Sequence, residues 1–185
     1  MALISAALNK YAYDKDCLTG TDKTTTHAYG PLYDVLFAPY RETAQRVLEI
    51  GVQTGASVLA FADYFVNAGI DGIDIDFKPL KYGIGHPRIT YYLLDGTSPA
   101  AAKKLGSKYD IIVEDASHIP EHQVVTLDVF APSLAPGGVY VIEDIATEAV
   151  KPRLAEVAER HGLTMEWHDT RHINGQFDDI VAVFR

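Results

Sequence analysis

Cysteine is almost missing from this 185-residue chain: Cys17 is the only one, so no internal disulfide can form. No apolar run approaches the ~20 residues that a membrane-spanning helix needs. The start, MALISAALNKYAYDKD, has neither a basic n-region nor an apolar stretch long enough for a signal peptide, and a cytoplasmic location is expected. Positive charge is scarce too. Sixteen Lys and Arg against 25 Asp and Glu give a formal charge of −9, which repels phosphate backbones and anionic lipid headgroups. Neither nucleic acid nor a membrane is expected as a partner. Linkers, repeats and low-complexity stretches are absent as well, which leaves room for one domain burying roughly 70% of its unfolded surface. With 48% hydrophobic and 22% charged residues, the composition is that of an ordinary globular chain.

What is present, from about residue 46 on, is alternation of short β-branched runs with stretches of helical spacing, the pattern of repeated βαβ units and a parallel sheet. Strands are predicted at Arg46 to Ile50, Ile70 to Asp74, Ile89 to Leu93, Tyr109 to Val113 and Val139 to Ile142. Helices are predicted at Ala56 to Val66, Ser98 to Leu105, Pro120 to Leu134 and Thr147 to His161. Two further strands, Leu163 to Trp167 and Asp179 to Phe184, joined through Asn174-Gly175, suit a closing antiparallel hairpin. Upstream, Thr19 to Tyr29 is polar and threonine-rich, and Pro31 to Tyr40 suits one short helix.

The first strand, RVLEI, runs straight into Gly51-Val52-Gln53-Thr54-Gly55-Ala56-Ser57 and then a helix. Glycines there permit a tight turn and let backbone N–H groups approach a ligand at a helix N-terminus. The GxGxxG spacing of dinucleotide sites is not met, and Glu49 just before the loop suits an ammonium and a sulfonium better than a pyrophosphate. Asp74, at the end of the second strand, stands where an acid commonly binds ribose hydroxyls, with Asp76 in reserve two residues on. A purely structural strand-to-helix turn is the competing reading. Together, VLEIGVQTG and GIDID resemble the class I S-adenosylmethionine-dependent methyltransferases, over about residues 46 to 185. The resemblance implies an α/β, Rossmann-like sheet of seven mostly parallel strands with helices on both faces and a C-terminal antiparallel hairpin. It also implies S-adenosylmethionine as cofactor. Glu49, Gly51 and Gly55 would stand at its methionine part, Asp74 at the ribose, and Asp95 of LLDGTS near the adenine, with Ser57, Asp76 and Asp115 as further cofactor-binding candidates.

A second group of residues belongs to the same sheet edge. The strand YDIIV ends in Glu114-Asp115-Ala116-Ser117-His118 and VYVI ends in Glu143-Asp144, and the C-terminal strand ends of an open α/β sheet share one ligand-binding rim. Carboxylates gathered at one point repel unless a cation sits between them. Oxygen ligands with positions left open favour Mg²⁺. Asp115, Glu143 and Asp144 are therefore the candidate ligands, and His118, three residues past Asp115, is the candidate base for an alcohol whose acidity a metal has raised. The alternatives are surface acids that cap helices or pair with Lys and Arg, and an iron site of Asp115, His118 and His122, against which Pro120 weighs.

GTDKTTTHAY, EDASH and VIED together resemble the metal-dependent sugar O-methyltransferases of macrolide and related natural-product pathways. That resemblance implies Asp115 with Glu143 and Asp144 as Mg²⁺ ligands, His118 as base, and a small-molecule hydroxylated acceptor such as a sugar or polyol. It favours residues 20 to 29 as an ordered lid carrying Thr21, Asp22, Lys23 and His27 near the cofactor, rather than a solvated arm. Residues 1 to 45 are expected to belong to the same domain as the core at 46 to 185. Members of this family generally carry a further N-terminal domain or longer insertions with no counterpart here. Acceptor specificity is then expected from the first 45 residues, the rim loops or a neighbouring subunit, and a homo-oligomer is expected. A nicotinamide-dependent oxidoreductase and a non-catalytic nucleotide-binding module are the competing functions.

Overall fold

The structure is a computed structural model and describes residues 2–16 and 18–185; Cys17 lies outside the described residues. Seven strands form one sheet in the order β3-β2-β1-β4-β5-β7-β6. They are β1 (Arg46–Ile50), β2 (Gly69–Asp74), β3 (Ile89–Leu93), β4 (Tyr109–Glu114), β5 (Leu134–Ile142), β6 (Met165–Asp169) and β7 (Ile180–Phe184). The first five run parallel, and β7 inserts antiparallel between β5 and β6. Short apolar strands such as RVLEI and IVAVF are buried along nearly their whole length, as helices on both faces require.

The helices divide into two layers. On one face, α1 (Ile4–Lys10), α2 (Gly30–Leu36) and α3 (Ala56–Tyr64) pack Ile4, Leu8, Tyr33, Phe37 and Phe61 against Val47, Ile111 and Val141. On the other, α4 (Pro99–Leu105), α5 (Pro120–Phe130) and α6 (Lys151–Arg160) cover Leu48, Ile112 and Ile142 with Ala101, Leu127 and Leu154. A four-residue helix, α7 (Arg171–Asn174), lies between β6 and β7 and ends on Gly175 in the left-handed conformation. No helix among the described residues is long and apolar enough to cross a membrane.

Several boundaries differ from those predicted: the helix expected at Thr147 to His161 runs from Lys151 to Arg160 after a 3₁₀ turn, the helix expected to reach Val66 ends at Tyr64, and the strand expected at Leu163 to Trp167 runs from Met165 to Asp169. The helix expected at Pro31 to Tyr40 ends at Leu36, and a 3₁₀ turn, Ala38–Tyr40, follows around Pro39. The helix expected to reach Leu134 stops at Phe130, before a 3₁₀ turn over Ala131–Ser133 that contains Pro132. Strand β5 then starts five residues earlier than its β-branched run, at Leu134. Helix α1 was not read from the sequence at all.

The neighbours β1 and β4 stand where the strand order reverses, the place at which open α/β sheets bind ligands. Asp115 N–H donates to the Ile50 carbonyl at 2.8 Å and ties their ends together, and Gly51 N–H donates to that of Ile73 at 2.9 Å and ties the end of β1 to β2. Gly51 has φ +88°, and a Cβ on it would run into the carbonyl oxygen of Asp115. Gly51→Ala is expected to cost about 1–3 kcal/mol from the left-handed backbone alone and to push the β4 end away. Urea unfolding should show the loss, and ligand binding at the rim should weaken with it.

Candidate active site

The polar segment at residues 19–29 is folded onto the rim. Tyr13 N–H donates to the Thr21 carbonyl at 2.8 Å, Thr21 N–H to Tyr11 at 2.8 Å, and the Asp22 carbonyl gathers the N–H groups of Thr25, Thr26 and His27 at 3.0 to 3.1 Å. Thr54 Oγ1 of the glycine loop donates to the Gly20 carbonyl at 3.3 Å. One cavity of about 260 Å³ opens between this segment, the glycine loop and the β2 and β4 ends, lined among others by Thr21, Gly51, Ser57, Asp74, Asp115 and His118. Asp76 and Asp144 also line it. A second, of about 440 Å³, lies on the other side of Gly51 between Ile75, Asp95, Gly96, Ser117 and His122.

Several candidates do something other than face a cavity. Glu49 is fully buried, accepts from Ser57 Oγ at 2.7 Å and lies 3.5 Å from Lys23 Nζ; burial pushes its carboxyl up to about 7 against the pull of Lys23. Lys23 is itself buried and bonds Asp115 Oδ2 and Glu143 Oε2. Gly55 is the left-handed residue before α3 and lines neither cavity. Asp74 Oδ2 accepts from the N–H groups of Val52 and Gln53, both at 2.9 Å, so it also holds the glycine loop. Asp95 caps its own turn, accepting from Thr97 Oγ1 at 2.7 Å and Thr97 N–H at 2.9 Å, which hold its carboxyl below the usual range.

Three donor atoms converge at the cavity wall. His118 Nε2 lies 3.1 Å from Asp115 Oδ1 and 3.3 Å from Asp144 Oδ2, and the three residues form a group able to hold a metal ion. Both His118 (φ +54°) and Asp144 (φ +52°) are non-glycine residues in the left-handed region, a conformation that persists where surrounding contacts enforce it. Glu143 stands behind the group, one oxygen bonded by Lys23 and the other by the Tyr33 hydroxyl. Joining the group would require Glu143 to give up one of those bonds. His122 turns away to Ser117 Oγ at 2.8 Å, because Pro120 begins α5 only after the left-handed His118. The two-histidine iron arrangement is not formed.

Charge in this cluster is unevenly shared. Burial opposes ionisation of Asp115, but Lys23 and His118 outweigh it and hold the carboxyl well below its usual value. Burial and the Asp115 charge push Asp144 up to about 6, and burial drives Glu143 well above the usual range despite Lys23. His118 is pushed up to about 9, chiefly by its hydrogen bond to Asp115. The imidazolium thus stands where a cation belongs, between two carboxylates. Oxygen donors from Asp115 and Asp144, with the His118 nitrogen beside them, fit a hard divalent cation.

Sequence reasoning missed Tyr29, whose hydroxyl donates to Asp144 Oδ1, and Tyr33. It also missed Gln123, donating to the Glu143 carbonyl at 2.9 Å, and Glu114, buried with both carboxyl oxygens unpaired and pushed up to about 8 by burial. The available signal was the excess of acids at three adjacent strand ends, which demands a buried cation such as Lys23.

The family described as methyltransferase domain matches residues 48–145, from β1 to just past Asp144. The chain belongs to that family. Among the relatives of this methyltransferase-domain chain is the 8-demethyl-8-α-L-rhamnosyl tetracenomycin-C 2′-O-methyltransferase of Streptomyces olivaceus, 35% identical over 69% of the chain and 36% of the relative. Demethylmacrocin O-methyltransferase of Streptomyces fradiae is 36% identical over 65% of the chain and 32% of the relative. The chain therefore spans about a third of the length of the curated relatives it matches. In fold it resembles the MycE methyltransferase of mycinamycin biosynthesis, solved with Mg, SAH and mycinamycin VI, at a TM-score of 0.77 and 24% identity over the whole chain and 54% of that structure. The resemblance read from GTDKTTTHAY, EDASH and VIED agrees with these relatives.

Raised in the folded state above the free value of 6.5, His118 stabilises the fold fully at pH below that value and loses its contribution as pH climbs toward about 9. Without added metal, thermal unfolding midpoints should fall across this window. His118→Asn, which tolerates the left-handed backbone, should flatten that dependence.

Proposed function

We propose that this methyltransferase-domain chain transfers a methyl group from S-adenosylmethionine to a hydroxyl of a sugar or polyol carried by a natural product, with Mg²⁺ required. The observation carrying this reading is the convergence of Asp115, Asp144 and His118 on one point in the wall of the cavity beside the glycine loop. The named chemistry of the relatives supports it: tetracenomycin-C and macrocin methyltransferases act on oxygens, and the solved MycE structure carries Mg and SAH. Glu49 and the missing third glycine of the loop weigh against a nicotinamide oxidoreductase.

Asp115 Oδ1 and Asp144 Oδ2 would hold the ion, and Glu143 would either contribute an oxygen or fix Lys23 behind it. Bound there, a divalent cation supplies Lewis acidity that favours the alkoxide of the acceptor. His118, its Nε2 freed from Asp115 and Asp144, would be the group that takes the hydroxyl proton. Ser57 and the backbone of Gly51 to Thr54 line the space for the methionine part, Asp74 or Asp76 the ribose, and Asp95 with Gly96 the base. Much of the rate comes from holding two reactants in line rather than from covalent chemistry. Residues 1–45 belong to the same domain, and the 20–29 segment is the lid over the cofactor.

Isothermal titration with S-adenosylmethionine, with and without Mg²⁺, followed by transfer of a labelled methyl group to rhamnosyl tetracenomycin-C or mycinamycin VI as acceptor, tests this. His118→Asn should keep cofactor affinity within about twofold and lose roughly 10²–10⁴-fold in turnover, the usual share of a general base. Asp115→Asn should lose activity and metal dependence together. Full turnover in EDTA would refute the metal reading.

A further inference from the structure

Asp179 directly precedes β7 and is wholly buried, although no part of the proposed reaction uses it. Its Oδ1 lies 2.6 Å from His27 Nδ1, and its Oδ2 has no hydrogen-bond partner. His27 is 6% exposed and stacks on Tyr29, ring centroids 5.1 Å apart at 15°. The same Nδ1 is 3.4 Å from Asp144 Oδ1, the oxygen to which the Tyr29 hydroxyl donates. Asp144 is thereby gripped on one oxygen from the N-terminal segment and offers the other, Oδ2, to the His118 side. Asn174 Nδ2 donates to the Thr26 carbonyl at 3.2 Å and pins the segment that carries His27 to the β6–β7 connection.

We infer that Asp179 and His27 are positioning residues for the cation site: Asp179 fixes the His27 ring, and His27 with Tyr29 fixes Asp144 Oδ1 so that Oδ2 faces the ion. The inference rests on the metal-dependent reading above. A ligand oxygen held by the Tyr29 hydroxyl, with the Tyr29 ring stacked on the imidazole that Asp179 anchors, keeps its orientation without an ion, and partners of this kind typically contribute 10- to 100-fold in metal affinity. His27, Asp178 and Asp179 are also close enough to hold an ion themselves. None of the three lines either cavity, and the Nδ1 to Oδ1 contact already occupies the donor facing Asp179, which favours positioning.

Mn²⁺ titration of the full chain, followed by the loss of the free-ion electron paramagnetic resonance signal, separates the possibilities. Wild type should bind one Mn²⁺. His27→Phe, which keeps the stacked ring and removes its N–H, should weaken Mn²⁺ binding 10- to 100-fold while S-adenosylmethionine affinity measured calorimetrically changes less than about twofold. Asp179→Asn, isosteric and suited to the case in which His27→Phe does not fold, should weaken it in the same direction by less. The double variant should be no weaker than His27→Phe, because the two residues act in series. Unchanged Mn²⁺ affinity in both folded single variants would overturn the positioning role, and so would two ions per wild-type chain falling to one in Asp179→Asn. Absence of any Mn²⁺ binding by wild type, or its persistence in Asp144→Asn, would instead refute the metal site itself.

Discussion

One ammonium group organises the rim of this sheet. Lys23 Nζ lies among the carboxylates of Glu49 on β1, Asp115 just past β4 and Glu143 just past β5, which neighbouring strands bring together at the ~4.8 Å spacing of a ladder. Two buried carboxylates and a third that is mostly covered cannot all ionise that close without a cation. A lysine delivered from far earlier in the chain supplies it, and the polar N-terminal segment is held against the sheet by the same bonds that hold the acids in place. From there the contacts run in both directions. Tyr33 leads from Glu143 through Phe37 to Phe61 and Phe65 in the core, by ring contacts of 4.6 to 6.4 Å, while Asp115 leads to His118 and the cavity.

RVLEI and YDIIV were legible because burial on both faces writes continuous apolar runs, and the half-exposed edge strand ITYYL because of its β-branched and aromatic residues; RVLEI and ITYYL have the predicted bounds, and YDIIV is short by one residue. Helix α1 was not, since its seven residues have no side-chain cap and bury only Ile4 and Leu8. The early start of β5 was hidden because Pro136-Gly137-Gly138 reads as a turn, whereas the pairing of Leu134 with Tyr109 makes it strand. In each case tertiary contact decided what local composition left open.

At the rim, the sequence carried residue types and strand ends but not pairings. Asp115, Asp144 and His118 lie close in two loops, so a shared edge was enough to bring them together. Lys23, His27 and Tyr29 belong to a polar segment whose composition alone leaves a lid and a solvated arm both open, and their burial depends on partners 92 to 152 residues away. Nothing in TGTDKTTTHAY by itself announces which carboxylates it will meet.

Those separations bear on the order in which the molecule is made. Parallel pairing of β1, β2 and β4 needs only the middle of the chain, but His27 meets Asp179 across 152 positions and Lys23 meets Glu143 across 120. Contacts of such long range carry the largest loop-closure cost and form late. During synthesis the first segment must wait, with its lysine and histidine hydrated, until the β5 end and finally the start of β7 have left the ribosome. The proposed cation site is therefore complete only when the sheet is, and a chain interrupted before Asp179 carries the glycine loop without a finished rim.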